Sequence, residues 1–320
     1  MKNLRIVFMG TPEFAVSTLG ALLMNGFNVV AVVTAPDKPA GRGRKLTKPA
    51  IKNFAEYSSL RIMQPENLKD PVFIGELKDL NADLFIVVAF RMLPAAVWKL
   101  PSIGTINLHA SLLPQYRGSA PINHAIINGE TVTGLTTFFI DDKIDTGSIL
   151  LREKVPIFSF ENAGDLHERL MKQGARLIIQ TISGIANGTL NERPQQDFLK
   201  SGEILRTAPK ITPEFCNIDW TKDPVSIHNL IRGLAPYPCA RSFFSDGTTS
   251  ISFKIYESNP EFEDHAHEPG IFFSDGKNYI RVACRGGFVN ICSLQPEGKV
   301  KMGTVEFLRG FRIKGFAKIS

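Results

Sequence analysis

An α/β fold, in which an open and mostly parallel sheet is followed by a small antiparallel barrel, is what this sequence predicts. Three observations carry the prediction. Continuous apolar runs alternate with helix-like segments through the first half of the 320 residues, a polar stretch without periodicity interrupts the chain at 187–209, and short strands separated by turn signals fill the remainder. At roughly 150 residues per domain, the length accommodates about two domains.

Taken in order, residues 4–9 read as a strand buried on both faces of a parallel sheet. Residues 12–25 read as a helix, with Phe14, Leu19, Leu22 and Leu23 on its apolar side and Gly26 as the stop. A second buried strand follows at 27–33 and a short one at 60–63. Residues 84–90 and 104–109 supply two more, with helices at 70–80 and 95–100. Segments 135–140 and 149–155 flank a turn-rich stretch, and 163–185 is helical, with Leu166, Leu170, Leu177 and Ile178 at helical spacing. Residues 187–209, rich in Gly, Asn, Gln, Pro and Thr, form the expected linker between a domain at 1–186 and one at 210–320. In the second, Asp223 caps a helix at 224–234 with Pro224 in its first position. Strands at 251–256, 270–273, 279–283 and 287–294 are punctuated by Asp246-Gly247, Asp275-Gly276 and Gly286-Gly287. Closure into a barrel disposes of the edges that such strands would leave.

Hydrophobic residues make up 43% of the chain and charged residues 21%, which excludes a disordered chain, and the 26 glycines and 20 prolines show no collagen-like period. The longest apolar run, Leu84 to Phe90, is far short of the ~20 residues of a membrane span. Ile6-Val7-Phe8-Met9 is too short for the apolar region of a secretory signal, which needs about 7–15 residues. Cys216, Cys239, Cys284 and Cys292 have no C-x-x-C spacing and fit reduced core thiols, so the expectation is a cytoplasmic protein. The net charge of +6 is mild, but its distribution is not even. Lys38, Arg42, Arg44, Lys45 and Lys48 form one acid-free run. Lys299, Lys301, Arg309, Arg312, Lys314 and Lys318 form another against Glu306 alone. Each run alone suits a solvated face; two in one chain point to an anionic partner.

Several motifs fail. Gly10-Thr11-Pro12-Glu13-Phe14 has one glycine and a proline where a dinucleotide site wants G-x-G-x-x-G, and Gly41-Arg42-Gly43-Arg44-Lys45 lacks the P-loop spacing. Asp141-Asp142-Lys143-Ile144-Asp145 spells a diphosphate–magnesium signature, but it sits in a loop between strands and not on the helix which that use requires. Glu263-Asp264-His265-Ala266-His267-Glu268 could hold zinc on paper and reads instead as a solvated loop. The informative stretch is Gly104-Thr105-Ile106-Asn107-Leu108-His109. Alternate residues of a strand share a face, so Asn107 and His109 project together at the end of the strand where open α/β sheets bind ligands. An amide N–H donor beside an imidazole suits acyl chemistry, the first holding an oxyanion and the second moving a proton. Asp145 is a candidate third group. The same pair can equally be a polar strand end that caps backbone groups.

Asn107-Leu108-His109-x-Ser111-Leu112-Leu113-Pro114, followed by Tyr116-Arg117-Gly118 and by Ile140-Asp141-x-x-Ile144-Asp145-Thr146-Gly147, resembles the folate-dependent formyltransferases. The likeness runs the whole chain. It includes Met9-Gly10-Thr11-Pro12-Glu13-Phe14, Pro36 to Gly43, Ala208-Pro209-Lys210-Ile211 and Ile218-Asp219-Trp220. The Arg/Gly insertion after the second strand and the basic C-terminal domain point to the branch that acts on aminoacyl-tRNA. The resemblance implies a Rossmann-like formyl-transfer domain and a C-terminal OB-like, tRNA-binding barrel. It implies formyl transfer from 10-formyltetrahydrofolate to the α-amine of methionine on initiator Met-tRNA, with no metal. Asn107 then binds the formyl oxygen as it becomes an oxyanion. His109 stabilises the same intermediate and takes part in proton transfer, and Asp145 pairs with His109 and helps to relay the proton. Ser111, Leu112, Leu113 and Pro114 line the folate site, with 84–90 as a wall. Arg42, with Arg44 and Lys45, enters the acceptor stem, and Lys210 is a further tRNA contact. Three positions depart from the family pattern: Arg91 and Cys239 stand where glycine is usual, and His124 replaces a common aromatic.

Other readings stay in view. A relative that formylates an amino sugar or a glycinamide ribonucleotide would share the catalytic set but would not need the 38–48 run. A non-catalytic tRNA-binding protein would not need Asn107, His109 and Asp145 together. A hydrolase that releases formate would need no basic surface.

Overall fold

The structure, a computed structural model, describes residues 4–40, 45–245, 250–310 and 318–319. It divides into two compact units, one made of Met1–Gly118, Thr133–Pro156 and His167–Thr207, the other of Ser119–Val132, Ile157–Leu166 and Ala208–Ser320.

The first unit is built on a seven-stranded sheet in the order Ile149–Pro156, Val132–Phe139, Gly104–His109, Leu84–Val88, Arg5–Gly10, Asn28–Val33, Ile62–Met63. Every described pairing from Gly104–His109 to Ile62–Met63 is parallel, while Gly104–His109 and Val132–Phe139 run antiparallel. All five residues of Leu84–Val88 are buried, as a central parallel strand covered on both faces requires. Full burial of each such apolar side chain is worth roughly 1.5–3 kcal/mol. One face of the sheet packs Val7, Met9, Val33, Phe73, Leu77 and Phe85 into a single cluster.

The helices follow the apolar pattern at Glu13–Met24, Pro71–Asp79, Ala95–Trp98 and Ala163–Asn187. Asp70 caps the second of these by accepting from the Val72 N–H, with Pro71 at its first position. At the start of Ala163–Asn187, Asn162 Oδ1 accepts from the backbone of Gly164 and Asp165 while Asp165 returns a bond to the Asn162 N–H, a reciprocal capping box. Gly174 lets this helix approach the sheet closely, since a Cβ there would stand 2.7 Å from Leu108 Cδ2. Short helices at Ala50–Tyr57, Pro121–Ile127 and Thr304–Gly310 were not legible in the pattern, because each offers at most two turns of periodicity.

The basic run after the second strand forms an antiparallel ribbon, Lys38–Ala40 against Lys45–Thr47, with Lys38 opposite Thr47. Its base is anchored by Asp37, whose carboxylate accepts from Gln64 Nε2 at 2.8 Å and Lys52 Nζ at 2.7 Å; both bonds hold that carboxyl below its ordinary value.

The second unit carries an antiparallel sheet in the order Phe272–Ser274, Ile280–Cys284, Gly287–Pro296, Ser250–Glu261, Ala240–Ser245, Lys318–Ile319, with Met302–Gly303 paired to Gly287–Pro296. The arrangement is that of a small β-barrel domain. One expected strand comes out longer, and one strand is new. The strand read at 251–256 continues to Glu261, past register shifts between Ile255 and Glu257 and between Glu257 and Ser258. That bulge moves the buried positions from Phe253 and Ile255 to Ser258, which breaks the alternation that marks a strand. Ala240–Ser245 was not anticipated because its inward residues are Ala240, Ser242 and Phe244, and a serine hides the period. Ser242 is tolerated in the core because the buried Trp220 Nε1–H donates to its Oγ at 3.0 Å. The helix Pro224–Leu234 lies as expected, with Asp223 accepting from the Ser226 N–H and with Ile227, Ile231 and Leu234 buried in the barrel core.

All four cysteines are free thiols, three of them buried. Among the described residues, no helix is long and apolar enough to cross a membrane.

The Trp220–Ser242 bond yields a stability prediction. Ser242→Ala removes the acceptor of a buried indole N–H, so urea denaturation should show a loss of about 1–3 kcal/mol. An unchanged midpoint would mean that the bond contributes nothing.

Candidate functional site

The strand Gly104–His109 ends with Asn107 half-buried and His109 buried, on the face opposite Leu108, which packs toward Gly174. Burial of an imidazole demands partners for its nitrogens. Nε2 lies 2.9 Å from Tyr116 O, and a carbonyl can only accept, so Nε2 carries a proton. Nδ1 faces Asp145 Oδ2 at 3.8 Å, within ion-pair reach. Asn107 and His109, expected from one strand, and Asp145, expected from a later loop, therefore belong to one compact unit, with His109 and Asp145 side by side.

Both partners of His109 sit on segments held in left-handed backbone conformations. Tyr116 has φ 59° and Asp145 φ 55°, conformations that non-glycine residues adopt only when their surroundings fix them. For Tyr116 the surroundings are Arg206, whose carbonyl accepts from the Tyr116 N–H at 2.7 Å and whose guanidinium donates to the Tyr116 hydroxyl at 3.2 Å. For Asp145, Oδ2 accepts from the Gly118 N–H at 2.9 Å. Asp141, in the same turn, accepts from the Lys143 N–H and Thr146 Oγ1, so it works as a turn cap. The glycine that follows has no freedom in size: a Cβ on Gly147 would lie 1.7 Å from Phe139 O.

The loop after the strand is tied as tightly. Thr136 Oγ1 donates to Ser111 O at 2.7 Å and accepts from the Leu113 N–H at 3.2 Å, and Ser111 Oγ donates to Gln115 O at 2.6 Å. Of the four residues expected to line a folate site, Ser111 therefore spends its hydroxyl within the loop. Leu113 is fully buried in a cluster with Phe138 and Ile149, Pro114 is buried, and Leu112 is half-buried beside Gly134. What Ser111 and Leu113 can offer a ligand is backbone.

One residue of this site escaped the sequence reading. Gln195, from the 187–209 stretch, is 3% exposed. Its Nε2 donates to Asp145 O and Gly147 O, both at 2.9 Å, and its Oε1 accepts from Arg117 Nε at 3.1 Å and Nη2 at 2.6 Å. A single glutamine in a polar segment without periodicity gives no pattern signal. Nearby, Phe198 lies between the guanidinium groups of Arg152 and Arg193, at 4.6 and 4.5 Å.

The remaining expected residues are dispersed. Arg42 and Arg44 lie outside the described residues, as do Asp246-Gly247, Arg312 and Lys314. Lys45 opens the second strand of the basic ribbon, and Lys210 is exposed in the second unit. The three departures find local roles. Arg91 donates to the carbonyls of Pro65 and Glu66 and lies over Phe90, with burial lowering its pKa. His124 Nε2–H donates to Pro209 O at 3.0 Å, and burial lowers its pKa, so it is a structural imidazole. Cys239 adopts the left-handed φ of 73° that a glycine would take more easily, and its thiol donates to Pro236 O. His265, from the candidate zinc loop, instead donates from Nε2 to Gly287 O at 2.7 Å.

Chemically, the strand end offers an amide donor, a protonated ring nitrogen and a second ring nitrogen beside a carboxylate. That set can polarise a carbonyl oxygen and accept a proton from an attacking nucleophile.

Comparison with known proteins matches the chain to two family models. Residues 4–182 match the formyl transferase family and residues 210–312 the formyl transferase C-terminal domain. A methionyl-tRNA formyltransferase of Flavobacterium johnsoniae is 52% identical over the full length of both chains. Another, from Bacteroides fragilis, is 49% identical over 98% of this chain and 96% of its own. Among solved structures, an N-formyltransferase from Helicobacter canadensis in complex with folinic acid and dTDP-3-aminofucose superposes with TM-score 0.64 at 23% identity, over 90% of this chain and 98% of its own. HypX from Aquifex aeolicus in complex with tetrahydrofolic acid gives 0.63 at 17%, over 99% of this chain and 51% of its own. At these identities the two structures share the fold.

The close approach at Gly147 gives a direct test of the turn. Gly147→Ala forces a methyl group into Phe139 O, and overpacking of that kind costs about 1–3 kcal/mol or more. Chemical denaturation should register that loss; an unperturbed variant would mean that the turn is not held where it stands.

Proposed function

The chain belongs to the formyltransferase family, among the methionyl-tRNA formyltransferases, and from that premise we propose how its residues carry the reaction. It is a formyl-transferring enzyme, and its substrate is the α-amino group of methionine on initiator Met-tRNA. The donor is 10-formyltetrahydrofolate, a reading supported by structural neighbours crystallised with folate derivatives.

The observation that carries the mechanism is the His109–Asp145 pair beside Asn107 at the strand end. The methionyl amine, with an ordinary pKa of about 7.7–8.0, is accessible in its neutral form without a strong base. It attacks the formyl carbon, and the carbonyl oxygen becomes an oxyanion to which the Asn107 amide donates. The new C–N bond leaves a proton on the amine. His109 Nδ1 takes it, and the resulting imidazolium is held by Asp145 on one side and by Tyr116 O on the other. Its charge then stabilises the oxyanion. As the tetrahedral intermediate collapses, the bond from the formyl carbon to the folate N10 breaks and the proton passes to N10. No covalent enzyme intermediate is needed. Ser111 to Pro114 contact the folate chiefly through the backbone of their loop.

In this reading residues 1–186 catalyse, 187–209 link, and 210–320 bind tRNA. Arg42, Arg44 and Lys45, clustered in the basic run of the sequence, contact the acceptor stem, and Lys210 adds a phosphate contact; such clustered cations suit phosphate and groove binding. Formylation of an amino sugar or of a glycinamide ribonucleotide is not favoured, because relatives at about half identity over the full length are named for methionyl-tRNA.

The test is transfer of labelled formyl from 10-formyltetrahydrofolate to initiator and elongator Met-tRNA. Initiator tRNA alone should be formylated. Asn107→Ala should reduce the rate by ~10²–10³ and His109→Ala by ~10²–10⁴, without loss of folding. Release of formate, or formylation of a small amine in place of tRNA, would contradict the assignment.

A further inference from the structure

The 193–206 segment carries a new assignment. We propose that Gln195 is a positioning residue for the His109–Asp145 pair. The proposal rests on the functional reading above and adds a residue to it.

Two arms reach His109. One is the backbone at 116–118, which offers Tyr116 O to Nε2 and the Gly118 N–H to Asp145 Oδ2. The other is the 145–147 turn, which carries the Asp145 carboxylate. Neither arm is a helix or a long strand, and both contain a left-handed non-glycine residue, so neither holds its shape alone. The Gln195 carboxamide is bonded to both. Its NH₂ spans Asp145 O and Gly147 O, the carbonyls on either side of Thr146, and its oxygen takes a forked pair of bonds from Arg117.

Only an amide does both jobs. A carboxylate could accept from Arg117 but would face two carbonyl oxygens. A cation could donate to the carbonyls but would repel the guanidinium. Asparagine would have to span the same two arms with one methylene fewer. At 3% exposure the carboxamide is shielded from competition with water. Arg206 secures the same arm a second time, with its N–H on Gln115 Oε1 and its carbonyl on the Tyr116 N–H. The 193–206 segment thus acts as a strap across the loops that hold the imidazole and carboxylate in register.

Gln195→Met keeps the volume and removes every hydrogen bond, so it separates positioning from packing. Full-length wild type and variant are compared in formylation kinetics, in thermal melting, and in the ring ¹⁵N spectrum of histidine-labelled protein. The expected result is a fall in kcat of ~10²-fold, the scale of a misplacement by about 1 Å, with KM for tRNA little changed. The His109 ring resonances should move, while those of His228, on the Pro224–Leu234 helix, and of His265 stay fixed. Gln195→Glu should fail to rescue. Wild-type turnover with unmoved His109 resonances would overturn the proposal. So would a loss of activity that only tracks the folded fraction or KM. Wild-type protein that formylates no tRNA would count against the functional reading instead, and the His109 resonances would still decide for or against Gln195.

Discussion

A buried imidazole needs a partner for the ring nitrogen that carries its proton and a fixed environment for the other, and in this chain the loops around the strand end at His109 supply both. His109 is 6% exposed. Its Nε2 is satisfied by a backbone carbonyl seven residues on, which obliges the chain to double back through the Ser111–Tyr116 loop. Its Nδ1 faces, at 3.8 Å, a carboxylate 36 positions later in the sequence, brought there by a tight turn with a glycine at Gly147. The parallel sheet supplies a rigid strand end, and everything after it fixes two loops against that end. Rigid elements that present a loop-built site are the usual division of labour in open α/β sheets.

The cost of this arrangement is local backbone strain at Tyr116 and Asp145, offset by hydrogen bonds from Arg206 and Gln195. Both come from the polar stretch that precedes the barrel unit. The stretch is therefore more than a tether: its Ile149–Arg193 bridge, the short helical turn at Gln195–Phe198 and the arginine–phenylalanine stack tie it to the sheet unit. In the barrel unit the comparable solution is a buried serine, Ser242, which satisfies the Trp220 indole where an apolar residue would have left it unpaired.

What the sequence made legible follows from what has a period. Leu84–Val88 and Gly104–His109 announce themselves because a doubly covered strand is apolar throughout, and Pro224–Leu234 because Asp223-Pro224 marks its start. Asn107 and His109 were legible as a pair since strand alternation puts them on one face. Asp145 was legible from the residues only as a candidate third group, and its pairing with His109 only through the family motif, because no periodicity relates a strand to a later loop. The Ala240–Ser245 strand, the extension to Glu261 and the short helices were hidden by a serine, a bulge and shortness respectively. Gln195 was hidden for a deeper reason: its importance lies in what its two ends touch, and a single polar residue in a polar segment carries no trace of that.

The account's central claim is that His109 and Asp145 act as one unit in formyl transfer. A double-mutant cycle in single-turnover formylation tests it most directly, comparing His109→Ala, Asp145→Ala and the double variant. Groups that act as a unit are strongly non-additive. The account predicts a double variant no slower than the slower single one. Losses that simply multiply would mean that the two residues act independently, and would contradict it.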